Sequence, residues 1–223
     1  LFTDAQAAPD AGLLAVAATG AASESSVKVM DSNALERGPE LPAALRNAAD
    51  SLFSPDAELG ETRALLVLRG GKLVYEKYAE GFDAQTKLNR WSMAKSITAV
   101  LVGMLVSDGR LSLDGPVSVE SWQRSGDPRG NITLRHLLHM ASGLEHREGG
   151  DPIWEADTPA MLFGEGAGDM AGFAQSKPAV ASAGEAFNYS TATSVILADL
   201  MADSLTPSTS AAVRRDAALE FIR

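Results

Sequence analysis

The chain of 223 residues contains no cysteine. That excludes disulfides, a thiol nucleophile and thiolate metal sites, and it suits either side of a membrane. Basic residues are also scarce relative to acidic ones. Nineteen Lys and Arg stand against 29 Asp and Glu, giving a net charge of −10 and a pI of about 4.8. Nucleic acids and anionic membrane surfaces both call for a basic patch, so this balance argues against either partner. Long apolar runs are missing as well. The longest near the start, Ala11 to Ala18, is short and Ala-rich, and acidic residues precede it. A spanning helix needs about 20 apolar residues, and a signal peptide needs a basic start. The chain begins at Leu1 rather than Met, and we expect it to be processed or incomplete at that end.

What is present is an ordinary globular composition, 45% hydrophobic and 22% charged, long enough for one large domain or two small ones. Residues 1–38 are rich in Ala, Ser and Gly and weakly patterned, and are expected to form a loose lead-in. From Pro42 to Phe53, Leu45, Ala48, Ala49 and Leu52 recur at helical spacing, and Pro42 suits a first turn. Two β-prone runs follow, Thr62 to Arg69 and Lys72 to Tyr78. Gly70-Gly71 between them is a hairpin signal. No further strand is evident. A lone hairpin is marginally stable, so the sheet reads as unfinished.

A helix is expected from about Ser92 to Ser107, with Ile97, Val100, Leu101, Met104 and Leu105 buried and Asp108-Gly109 ending it. Thr133 is a suitable N-cap for a short helix, Leu134 to Met140. Residues 145–165 are rich in Gly, Asp and Pro and read as mostly loop, with a turn near Met161. Short helices are expected from Asp169 to Ser176, after Thr191 to about Ser204, and towards Arg223.

The chemistry centres on Trp91-Ser92-Met93-Ala94-Lys95. Ser92 and Lys95 lie three apart at a helix start, so their side chains share one face. A serine hydroxyl needs a neighbour to take its proton, and an amine can do so when burial or a nearby cation keeps it neutral. The helix N-terminus adds N–H donors where an oxyanion would form. His136, His139 and His146 have no carboxylate at metal-site spacing, so helix capping or packing is expected of them and no metal. Trp154 and Glu155 lie in a Gly/Pro-rich loop that could line a pocket, but a solvated loop is the better expectation for them.

Three stretches carry a family resemblance in order. WSMAKSITAVLVGMLVSDGRLSLDGPV and ITLRHLLHMASGLE resemble the nucleophile helix and the following helix–turn of the serine β-lactamase/penicillin-binding-protein superfamily, in its class C-like branch. The segment from Met161 to Leu200 resembles 6-aminohexanoate-dimer hydrolases and related esterases. The resemblance implies a mixed α/β (α+β) fold of the β-lactamase/transpeptidase type, an antiparallel sheet packed with a helical subdomain. Residues 39–223 are then one such domain, truncated before its last strands. It further implies a serine hydrolase acting on amide or ester bonds through an acyl-enzyme. Ser92 would be the nucleophile, Lys95 the proton acceptor and Tyr189 the group serving the leaving atom, without a cofactor. Thr191, where the family usually has Asn or Ser, and Trp154 would contact a small-molecule substrate. A Lys/His-Thr/Ser-Gly or Gly-rich strand is also implied, and none follows Tyr189 here. An inactive remnant or binding protein, or a helical interaction module, therefore stands as the alternative. The compartment is left open, with an envelope or periplasmic location in a bacterium favoured.

Overall fold

The computed structural model describes residues 35–55 and 60–222. The lead-in expected over residues 1–38 lies outside them except for its last four positions. The chain divides into two compact units, Leu1–Leu88 and Asn89–Arg223.

In the first unit, helix α1 (Ala43–Ser51) starts directly after Pro42. The hairpin pairs β1 (Ala64–Arg69) with β2 (Lys72–Tyr78) in antiparallel register, Ala64 opposite Tyr78 and Arg69 opposite Lys72. Gly70 and Gly71 take φ of +58° and +77°, the pair of left-handed residues that a type I′ turn demands. The register slips by one between Val67 and Leu68, leaving Val74 as the extra residue of a bulge. A short stretch before α1 lies against β2, with Gly38 N–H donating to the Leu73 carbonyl at 2.9 Å and Leu73 N–H to the Glu36 carbonyl at 2.8 Å. That approach needs a glycine, since a Cβ on Gly38 would meet Val74 Cγ1 at 2.9 Å. Helix α1 is tied to β2 through Asp50, which accepts from Tyr75 at 2.8 Å and Lys77 at 2.5 Å. Among the described residues the sheet stays at two strands, open as expected.

The second unit is helical: α2 (Ala94–Ser107), α3 (Leu134–Leu138), α4 (Asp157–Phe163), α5 (Met170–Ser176), α6 (Thr191–Leu205) and α7 (Ala211–Ile222). Helix α6 is its centre, touched by α2, α3, α4, α5 and α7. It buries Ile196, Leu197, Leu200 and Met201 against Val102 and Leu105 of α2, Leu134 and Leu137 of α3, and Met161 of α4. Each such side chain contributes roughly 1.5–3 kcal/mol by leaving water. Trp122 is wholly buried; its indole N–H donates to the Gln175 carbonyl at 2.9 Å. Arg129 reaches the Gln175 and Lys177 carbonyls at 3.1 Å and is neutralised by Asp127, whose carboxyl is lowered to about 2 by that guanidinium. Arg214 pins α7 to Asp199 of α6.

Two expectations are corrected. The loop 145–165 contains a full helix, α4. The buried face of α2 is also different in part: Ile97, Val100 and Met104 are exposed, Leu105 faces the core as expected, and Val102 joins it there. The helix is apolar nearly all round, and such a helix gives periodicity no single stripe to select.

Candidate active site

Ser92 sits in a 3-10 turn, Trp91–Met93, that runs straight into α2. Trp91 holds φ +39°, a left-handed conformation that costs a bulky residue about 1–3 kcal/mol. Lys95, in the first turn of α2, places its Nζ 3.1 Å from Ser92 Oγ. The same Nζ donates to Thr191 Oγ1 at 2.9 Å and lies 5.0 Å from the centre of the Tyr189 ring. Four of the sequence candidates, Ser92, Lys95, Tyr189 and Thr191, thus meet at one point, although Lys95 and Thr191 are 96 positions apart.

The second half of that cluster is positioned by a strap. Residues 140–146 run beside 178–188, with Glu145 N–H to the Pro178 carbonyl (2.9 Å), Val180 N–H to the Gly143 carbonyl (2.9 Å), Gly184 N–H to the Ala141 carbonyl (2.7 Å) and Asn188 N–H to the Met140 carbonyl (2.8 Å). Asn188 also donates its amide to the His146 carbonyl at 3.1 Å. Ser190 then caps α6 by accepting from Thr193 N–H at 3.1 Å. Tyr189 is fixed between these two anchors and remains 39% exposed.

Glu148 closes the arrangement. Its carboxylate accepts from Thr191 N–H at 2.6 Å, from the Thr191 hydroxyl, from Thr158 Oγ1 at 3.0 Å and from His146 Nε2 at 2.9 Å. Burial alone would push this carboxyl up. The hydrogen bonds from Thr191, His146 and Thr158 outweigh it and hold Glu148 below its ordinary 4.5. An anion at the N-terminus of α6 also matches the helix dipole. His146 is almost wholly buried and its Nδ1 has no partner among the described residues. His136 instead closes a capping box on α3, its Nδ1 accepting from Thr133 N–H at 3.2 Å.

Sequence reasoning named Ser92, Lys95, Tyr189 and Thr191 but missed Glu148. It lies in an unpatterned Gly-rich loop, and no spacing links it to Thr191. Trp154, the remaining candidate, stands 74% exposed in the turn Ile153–Glu155. No hydrogen bond or ring contact joins it to the cluster among the described residues. Nor does any group of three His, Asp or Glu there have the arrangement to hold a metal ion. No described helix is long and apolar enough to cross a membrane.

A two-stranded hairpin, a helical unit and a serine–lysine pair at a helix start define the class. The chain belongs to the beta-lactamase family, whose sequence profile matches residues 58–214. It is similar to the 6-aminohexanoate-dimer hydrolase of Paenarthrobacter ureafaciens, 31% identical over 129 residues, which is 55% of this chain and 33% of that protein. Two solved structures share the fold. A candidate 6-aminohexanoate-dimer hydrolase from Bacillus anthracis gives a TM-score of 0.53 at 22% identity, over 74% of this chain and 43% of that one. A candidate beta-lactamase from Bacteroides dorei gives 0.51 at 22% identity, over 78% and 47%. The matched region is thus about a third of the curated relative, and the chain spans under half of each solved structure. At the level of the family, the profile match and the curated relative support a hydrolase type of function.

Proposed function

We propose that Ser92 is the nucleophile of a serine hydrolase that opens amide or ester bonds through an acyl-enzyme. The observation that carries this is the position of Lys95 Nζ, 3.1 Å from Ser92 Oγ and within reach of both Thr191 and the Tyr189 ring. With its amine neutral, Lys95 takes the Ser92 proton as Oγ bonds to the substrate carbonyl carbon. Backbone N–H of Ser92 donates to the oxyanion, and one such donor is typically worth about a hundredfold or more in rate. When the tetrahedral adduct collapses, the bond to the leaving nitrogen or oxygen breaks and the Tyr189 hydroxyl supplies its proton, which Lys95 restores to Tyr189. Water then adds to the acyl carbon, giving a proton to Lys95, and the Ser92 Oγ–carbon bond breaks as that proton passes to Oγ and the acid leaves. Similarity to the Paenarthrobacter 6-aminohexanoate-dimer hydrolase favours short linear amides of the 6-aminohexanoate type as substrates, and simple carboxylic esters suit the same acyl-enzyme chemistry.

The test is covalent labelling with a fluorophosphonate and turnover of p-nitrophenyl butyrate by the 223-residue chain. Modification at Ser92, and hydrolysis that disappears in Ser92→Ala and Lys95→Ala, are the expected results. Labelling at another residue, or turnover that survives Ser92→Ala, removes the assignment. Absence of both labelling and turnover would favour the inactive-remnant or binding-protein alternative.

A further inference from the structure

We infer that Glu148 is the positioning residue of this site, fixing the direction of the Thr191 hydroxyl so that Lys95 keeps its lone pair for Ser92. The inference rests on the Ser92–Lys95 assignment above and goes one group beyond it.

The logic lies in counting protons. A threonine hydroxyl has a single hydrogen. Here that hydrogen goes to the Glu148 carboxylate, because Thr191 Oγ1 donates to Oε1 while the neighbouring Thr191 N–H donates to Oε2. The hydroxyl can then offer Lys95 only a lone pair, and the 2.9 Å contact from Nζ is a donation by lysine. A neutral amine has two hydrogens and one lone pair. With one hydrogen held by Thr191, the lone pair is free to turn to Ser92 Oγ, 3.1 Å away. Were the Thr191 hydroxyl free to rotate, it could donate to that lone pair and remove the base. Asparagine, one of the two residues the resemblance implies at this position, can accept from lysine through its carbonyl oxygen without such help. Threonine needs an external acceptor, and Glu148 is that acceptor.

Glu148 is built to stay ionised in this role. Thr158 and His146 also donate to Oε2, at 3.0 and 2.9 Å, so four donors converge on one carboxylate. The other ionisable groups facing this chain of contacts are few. His146 flanks the carboxylate and the Tyr189 ring lies beside Nζ. Asp157 and Lys177 neutralise each other at 2.6 Å, and Arg147 turns its guanidinium to the Glu155 carbonyl. Glu148 therefore acts on Lys95 through one hydroxyl: it holds the Thr191 hydrogen away from Nζ and sets a negative charge two hydrogen bonds from it.

The experiment is the rate of fluorophosphonate labelling of Ser92 against pH. Labelling forms the Oγ–P bond, expels fluoride and passes the Ser92 proton to Lys95. Glu148→Gln keeps the volume but replaces one acceptor by an NH2, which forces the Thr191 hydrogen away from Glu148. The plateau rate is expected to fall about 10- to 100-fold, and the pH at which labelling rises is expected to move down by about one unit. Glu148→Asp retains the charge, so its rise should stay at the wild-type pH even if the plateau falls. A Glu148→Gln profile that matches wild type, or that drops without moving, overturns the inference. Should Glu148→Gln fail to fold, Thr191→Ser and Thr191→Val decide. Ser is expected within about threefold of wild type and Val at least about tenfold slower; equal rates for the two overturn the inference. Absence of Ser92 labelling in the wild-type chain counts instead against the proposed nucleophile.

Discussion

Gly143 is the residue through which the strap is most open to attack. It holds φ +75°, and a Cβ there would drive into the Ala181 carbonyl oxygen, with the Ala181 carbonyl carbon at 3.0 Å and the Ser182 carbonyl carbon at 3.2 Å. Gly143→Ala therefore meets two obstacles. The left-handed conformation costs about 1 kcal/mol once a side chain is present. Relief of the clash moves backbone rather than a side-chain tip, and it breaks the bonds from Val180 and Ala181 N–H to the Gly143 carbonyl at 2.9 and 3.3 Å, at about 1 kcal/mol each. The expected loss is about 3 kcal/mol. For the unit Asn89–Arg223, about 135 residues, the unfolding entropy is roughly 0.28 kcal/mol/K, so Tm should drop by about 10 °C. Gly109 supplies the control. Its φ is +70°, yet a Cβ there meets nothing within 4 Å, so Gly109→Ala should lower Tm by only about 4 °C. Calorimetry or a circular-dichroism melt measures both. If Gly143→Ala melts no lower than Gly109→Ala, the close packing of the strap against residues 181–182 is refuted. Because the strap also carries Asn188 and Tyr189, the surviving folded fraction should label at Ser92 more slowly than wild type.

Other consequences are as direct. His136→Ala removes the side-chain half of the capping box on α3 and should cost about 1 kcal/mol in a urea titration, whereas His139→Ala, on an exposed side chain, should cost nothing measurable. Burial would raise the Asp157 carboxyl, but Lys177 and the Arg147 N–H overcome it and hold it below 3.8. A lowered carboxyl contributes stability that is complete above its unfolded value and is lost as pH falls through the folded one. Melts of wild type should therefore lose stability on acidification below about pH 4, and Asp157→Asn should flatten that part of the curve while lowering Tm at pH 7.

Ser92 and Lys95 were legible in the sequence because their relation is local, three residues on one helix. The Gly70-Gly71 turn, the Thr133 cap and the start of α6 were legible for the same reason, since turn and cap chemistry is written within four residues. Tyr189 and Thr191 were placed only through resemblance, because nothing local joins them to residues almost 100 positions earlier. Glu148 was invisible: its partners lie 2, 10 and 43 positions away, and its loop has no period to mark a face. Helix α4 was hidden by the Gly- and Pro-rich residues around it. Leu105 was placed correctly on the buried face of α2, but Val102 competes with Ile97, Val100 and Met104 on a helix with two apolar sides, and the rest of the face was misread.

The 96-residue separation between Lys95 and Thr191 has a consequence for the order in which the site can come into being. Translation proceeds at about 5–20 residues per second, so Lys95 leaves the ribosome about 5–20 s before its acceptor. Closing a chain segment of that length carries an entropic cost of about 4 kcal/mol, and the site residues contribute nothing towards it until they meet. The burial of Ile196, Leu197 and Leu200 against α2 and α3 has to meet that cost first. On the proposed assignment, Ser92 and Lys95 wait through that interval without their acceptor, and the site assembles in one step when α6 docks.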